Sequence, residues 1–193
     1  MSMINAHIET RQKPRRLWRI YLWLVVIAAT GLALPNLCNA ESSCRGNPTV
    51  TISASSVVFG NYDVFSAAST TGTGSVVVSA TCGFSQLPFT VNYVIALSTG
   101  SSGTYAPRAM TYAGSHLQYN LYTTAQLVTV WGDGSGGTQT VAQQITGACQ
   151  YQFFNIGFNC SGSQSNTVYG AVPAMQNVVA GAYADNIIVT VTF

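Results

Sequence analysis

From residue 49 onward, apolar and polar positions alternate in short runs separated by Gly, Ser and Asn clusters. The last run is the clearest. Tyr183, Ile187, Val189, Val191 and Phe193 fall on one face, and Ala184, Asn186, Thr190 and Thr192 on the other. Period-two alternation marks a strand with one buried face. Here it continues to Phe193, where chain ends commonly fray, so the segment is expected to be a structural or binding element. Phe89, Val91, Tyr93, Ile95 and Leu97 likewise alternate with Thr90 and Asn92. The pattern predicts strands at 49–53, 57–62, 75–82, 89–97, 116–123, 138–145 and 151–158, then 167–169 and 183–193. No segment after residue 40 sustains a helical period. Many short strands with Gly/Ser/Asn turns predict an all-β sandwich in a single domain. Gly72, Gly74, Gly100, Gly103, Gly132, Gly134, Gly136 and Gly137 are expected in loops.

The first forty residues have a different character. Five of the seven basic residues (Arg11, Lys13, Arg15, Arg16 and Arg19) precede an apolar run over 20–34. Small residues at Cys38 and Ala40 follow, so 1–40 is expected to be a secretory signal cleaved before Glu41. The run is shorter than the roughly 20 residues of a membrane-spanning helix. The expected mature domain, 41–193, keeps Arg45 and Arg108 against Glu41, Asp63, Asp133 and Asp185. Its net charge of about −2 lacks the basic patch a nucleic-acid binder needs. So few charges leave solubility to Ser, Thr, Asn, Gln and Gly and suit a protein packed into an assembly.

Loss of the signal leaves four cysteines, Cys44, Cys82, Cys149 and Cys160, an even count in an exported chain. Three connectivities are open. The most economical pairs Cys44 with Cys82 and staples a local hairpin through Cys149 and Cys160. No Cys-x-x-Cys occurs and His116 is the one histidine after residue 40, so neither metal nor cofactor is expected.

Catalytic chemistry is sparse. Gly132-Asp133-Gly134-Ser135-Gly136-Gly137 superficially resembles a serine-protease nucleophile segment, but an extra glycine separates Asp133 from Ser135. His116 is the one available base. The segment is no phosphate loop either, because no Lys-Ser/Thr follows it. Asp133 is expected to serve turn geometry, and Asp185 to accept bonds from backbone amides near its strand's start. No enzyme is expected. Between Cys149 and Cys160 the chain is unusually aromatic, with Tyr151 and Phe153 on one face and Phe154, Ile156 and Phe158 on the other. One face packs on the core in the plainer reading. In the sharper one the aromatics form an exposed patch that binds a partner or an apolar surface.

Val58-Phe59-Gly60-Asn61-Tyr62-Asp63 and Gly74-Ser75-Val76-Val77-Val78, the run through Tyr119-Asn120-Leu121-Tyr122, and Trp131-Gly132-Asp133-Gly134 resemble motifs of spore coat protein U-like domains. Tyr169-Gly170-Ala171-Val172-Pro173 and Ala182-Tyr183-Ala184-Asp185 complete the series, in order and over nearly the whole domain. This resemblance implies a secreted subunit of archaic chaperone–usher pili used for attachment and biofilm formation. It implies an incomplete immunoglobulin-like β-sandwich lacking its last strand. The groove so exposed, bordered by Tyr183, Ile187, Val189, Val191 and Phe193, would be filled by a donor strand. The implied partners are a periplasmic pilus chaperone, the outer-membrane usher, other pilin subunits, and an abiotic or host surface. Glu41, Ser42 and Ser43 alone would precede Cys44, too few for a donor strand at about 3.3 Å per residue. The subunit is therefore expected to accept a strand without giving one, at or near a pilus tip, with the Cys149–Cys160 segment as its adhesive element. The alternative is a secreted coat or matrix protein that uses the same domain without pilus assembly.

Overall fold

The computed structural model describes residues 2–11, 48–83, 88–152 and 157–193. The described chain is all-β, with ten strands and one short 3-10 turn, η1 (Gly100–Ser102). The strands are β1 (Ser2–Arg11), β2 (Thr49–Ser55), β3 (Val58–Gly60), β4 (Thr70–Gly83) and β5 (Phe89–Leu97). They continue as β6 (Arg108–Tyr112), β7 (Ser115–Tyr122), β8 (Val141–Gln152), β9 (Gly157–Val172) and β10 (Ala184–Thr192). One layer runs β8-β5-β10-β1, with β3 beyond β1 and β6 at the start of β10. The other is β2-β4-β9, joined by the ends of β7 and β8. β7 and β8 each pair in both layers, which closes an immunoglobulin-like sandwich.

The alternation read from the sequence becomes the core. Every second residue of β5 from Phe89 to Leu97 is buried, facing Val76, Val78 and Ala80 of β4 and Val168 of β9. Each such side chain contributes about 1.5–3 kcal/mol when fully buried.

Several elements differ from the sequence-based strands. β6 and β1 fall outside every expected strand, β4 and β8 extend beyond 75–82 and 138–145, and β9 is far longer than the expected 167–169. β9 carries a polar run, Ser161-Gly162-Ser163-Gln164-Ser165-Asn166-Thr167, that looks like a loop. Unbroken antiparallel register with β4, from Gly83 opposite Asn159 to Thr70 opposite Val172, makes it a strand. Pairing supplies what composition does not. The expected strand 151–158 is instead divided between β8 and β9, the two arms of a hairpin.

Gly72 and Gly74 are not loop residues. They lie inside β4, where the chain around β3 crosses closely: a Cβ on Gly72 would sit 2.5 Å from the Val58 carbonyl oxygen, and one on Gly74 2.8 Å from that of Ser55. Gly170 of β9 makes similar room for the Phe59 ring at 2.7 Å. Phe59 then packs edge-on against Tyr119, with ring centroids 5.9 Å apart. Gly72→Ala is therefore expected to destabilise the protein by about 1–3 kcal/mol, the usual cost of overpacking. Gly83→Ala, where nothing lies within 4 Å, should be nearly neutral. Urea denaturation of both variants checks the contrast.

Candidate functional site: the groove beside the last strand

β10 forms the wall of the site. Tyr183, Asp185, Ile187, Val189 and Val191 are buried, while Ala184, Asn186, Ile188 and Thr192 face outward. Phe193 is half-buried against the core. On one edge β10 pairs antiparallel with β5, Val189 opposite Leu97 and Thr192 opposite Val94, and touches β6 at Ala184 opposite Thr111. Along the other edge lies β1. It runs parallel to β10 in nine consecutive pairs, from Met3 opposite Ala184 to Arg11 opposite Thr192, and meets β3 at Ser2 and Met3. Among the described residues β1 is the one strand on that edge. A single inserted strand thus bridges β10 and β3 and closes the side of the sandwich.

The start of β10 is held by Asp185, which is 3% exposed. Its Oδ1 accepts hydrogen bonds from the Ser101 amide at 2.8 Å, the Ser101 hydroxyl at 2.6 Å and the Asn186 amide at 2.8 Å. Its Oδ2 accepts from the Tyr119 hydroxyl at 2.6 Å. The expectation that Asp185 serves backbone amides holds, with two side-chain hydroxyls added. Gly100 stands against this carboxylate, where a Cβ would collide with it. Burial, reinforced by the Asp185 hydrogen bond and negative charge, pushes the Tyr119 phenol far above its ordinary pKa.

Beside this cluster lies a residue that the sequence reading did not single out. Arg108, at 0% exposure, donates from Nε and Nη2 to Ser98 O at 3.0 and 2.9 Å. Nη2 also donates to Trp131 O at 2.7 Å, and Nη1 to Asn120 Oδ1 at 2.7 Å. The guanidinium stacks 4.8 Å from the centre of the Tyr105 ring. Burial lowers its pKa, and the pull of Tyr119, Tyr105, Asp185 and Asp133 works against that shift. The signal that could have found it is its isolation: Arg45 and Arg108 are the two basic residues beyond residue 40.

The motif residues converge on this charge. Asn120 donates from Nδ2 to Tyr105 O at 2.7 Å, and Trp131 Nε1 donates to Ile95 O at 3.1 Å. Gly132 leaves room for Thr138, whose Oγ1 donates to Ser135 O at 2.7 Å. Asp133 accepts from the Ser135 amide and hydroxyl at 2.9 and 2.6 Å, bonds that hold its carboxyl below the usual range. Gly134 has φ of 90° in the same turn, and Tyr122 bridges to Val130. Ser135 is thus engaged with Asp133, while His116 stands exposed in β7 opposite Thr111. Among the described residues no cluster of three His, Cys, Asp or Glu could hold a metal ion.

The Spore Coat Protein U domain profile matches residues 29–190. The chain belongs to the spore coat protein U domain family. No curated protein matches it. A solved structure resembles it at 18% identity and a TM-score of 0.45: a CsuC–CsuE chaperone–tip adhesion subunit pre-assembly complex from archaic chaperone-usher Csu pili of Acinetobacter baumannii. The alignment covers 76% of this chain and 40% of that one.

Other expected sites of this spore coat protein U domain are distributed around the groove. Cys149 and Cys160 are joined by a disulfide across the β8–β9 hairpin, as expected. Cys82 is also disulfide-bonded, and its expected partner Cys44 lies outside the described residues. Tyr151 and Phe158 occupy opposed positions in the stapled hairpin, whereas Phe153, Phe154 and Ile156 lie outside the described residues. The expected signal, apart from β1, lies outside them as well. Near the opposite end of the sandwich, a pocket of about 340 Å³ lies between Leu117, Tyr183 and the exposed Phe65 and Val179, a feature no sequence pattern announced.

Replacing Asp185 by Ala strands four donors, the buried Tyr119 hydroxyl and three part-buried groups, and should cost about 3–5 kcal/mol. Tyr119→Phe removes one charge-assisted bond and should cost about 1.5–3 kcal/mol. The phenol's raised pKa also sets a pH dependence. Its stabilisation is full below the unfolded value of 10.0 and declines as pH rises above it. Urea midpoints between pH 7 and 11 should therefore fall more steeply in the parent than in Tyr119→Phe.

Proposed function

We propose that this chain is an exported pilus subunit of an archaic chaperone–usher system, and that the groove beside β10 receives a strand from a partner. The observation that carries the reading is the seating of β1, nine consecutive pairs along β10. The apolar positions Ile4, Ala6 and Ile8 stand in register with Asp185, Ile187 and Val189, all inward-facing in β10. Removal of 1–40 on export would vacate this place. The open backbone edge and apolar wall are then a strong inducement to strand addition. A periplasmic chaperone would fill the groove first, and a neighbouring subunit would replace it at the usher. Such head-to-tail contacts do not close and therefore build fibres at the cell surface.

With cleavage before Glu41, the three residues preceding Cys44 are too few to span a neighbour's groove. The subunit then receives without donating, which puts it at or near the tip. The aromatic segment of the Cys149–Cys160 hairpin is the adhesive element in this reading, serving attachment and biofilm formation.

The decisive measurement uses chain 41–193 exported with a heterologous signal, and a synthetic peptide of the Ser2–Arg11 sequence. At about 100 times its Kd, the peptide should raise the thermal midpoint by roughly 5–10 °C. A peptide with Ile8→Asp should not. The same chain should co-purify with its periplasmic chaperone, and Val189→Asp should abolish that capture. A midpoint unmoved by the peptide, together with no chaperone capture, would overturn the strand-acceptor reading in favour of a coat protein without pilus assembly.

A further inference from the structure

On the side away from the groove, β8 leaves one layer for the other and opens a fork. Val141 to Gly147 pair with β5, and Ala148 to Gln152 pair with β9. β7 rejoins β9 at Tyr169, Gly170 and Ala171. Among the described residues, positions 162–168 of β9 therefore pair with β4 on one side and with no strand on the other. At the apex the strands touch: a Cβ on Gly162 would lie 2.6 Å from Ile145 Cγ2 and from Thr146 O. Beyond the apex they diverge around a crevice of about 210 Å³.

Gln143 stands on one wall, and Gln164, Ser165, Asn166, Thr167 and Tyr169 on the other. Trp131, 1% exposed, also lines the crevice, and no lining residue is charged. Asn166 is the decisive group. It is 6% exposed and spends both amide protons in the core, on Val76 O at 3.2 Å and Tyr93 Oη at 3.1 Å. Among the described residues its Oδ1 accepts no hydrogen bond. No fully buried side-chain polar atom among the described residues goes unpaired, so this oxygen keeps solvent contact, and Asn166 lines the crevice. The site thus holds one acceptor fixed by the core, flanked by amide and hydroxyl groups able to donate or accept.

We propose that this crevice binds a single ring of a neutral sugar. Its volume of about 210 Å³ limits the occupant to a small group the size of one hexose ring. Sugar hydroxyls supply the donor that Asn166 Oδ1 lacks and match the two-way Gln143 and Gln164 amides across the fork. Tyr169, half-buried at the crevice, supplies flat apolar surface for the ring's C–H face, with the buried Trp131 as part of the floor. An ionic ligand would find no counter-charge. The ring comes either as a free sugar or as a unit of a surface polysaccharide. This inference is independent of the strand-acceptor reading.

The test is an NMR titration of the isotope-labelled full-length chain with methyl β-D-galactopyranoside, methyl α-D-glucopyranoside and dextran. At least one should cause saturable shifts, with millimolar Kd for a monosaccharide, concentrated at residues 143, 164–167 and 169. Saturation by a methyl glycoside assigns the site to free sugars, and by dextran alone to polysaccharide. Gln143→Ala and Thr167→Val, both at exposed positions, should each weaken binding about tenfold at an unchanged thermal midpoint. If either variant loses its fold, Gln164→Ala serves in its place. No saturable shift with any of the three probes, shifts centred elsewhere, or affinities indifferent to the substitutions would overturn the proposal.

Discussion

A guanidinium with no solvent contact must find acceptors for all its donors or cost several kcal/mol. Arg108 directs four of its five N–H groups to two backbone carbonyls and one side-chain amide, from three separate parts of the chain. Ser98 is thereby fixed just ahead of η1, Trp131 at the entry to the Asp133 turn, and Asn120 at the crossing of β7 between layers. The rest of the site inherits this geometry. With η1 in place, Ser101 presents its amide and hydroxyl to Asp185, and Asp185 with Tyr119 fixes the start of β10. One buried cation and one buried carboxylate, each satisfied chiefly by neutral groups, thus determine where the groove's wall begins.

The two sides of the sandwich resolve their edges differently. At β10 an added strand supplies backbone partners and closes the layer, here through β1. Near β8 the closure is internal, since one strand serves both layers. A strand cannot follow two diverging layers along its whole length, so the crossing leaves a fork. Amide and hydroxyl side chains line that fork, which keeps the uncovered β9 edge wetted and poorly suited to pairing with another chain. The apolar place beside β10 that β1 occupies and the polar crevice at the fork both lie where the two layers part.

Much of this was legible beforehand. The alternation of β5 and β10 assigned their buried faces, and the family motifs named Tyr119, Asn120 and Trp131 before their contacts were known. The aromatic hairpin and the Cys149–Cys160 staple followed from cysteine number and economy of pairing. Less legible were β9, whose polar middle is a strand through fourteen pairs with β4, and Gly72 and Gly74, which look like turn residues and are instead clearances for the chain from Ser55 to Phe59. Those features depend on partners far away in the chain, and no local pattern encodes them.

The division follows from the range of the forces. A strand's inward face is a local property, because successive side chains must point to opposite sides; composition and alternation were therefore enough for the all-β class and the apolar wall of β10. The destination of a buried charge is not local. Asp185 reaches 66 residues to Tyr119 and 84 to Ser101, and Arg108 gathers acceptors 10, 12 and 23 residues away from three different parts of the chain. Which acceptors surround them, where β8 changes layers and what opens in the fork are settled when the two sheets close on each other and every desolvated polar group must be paired.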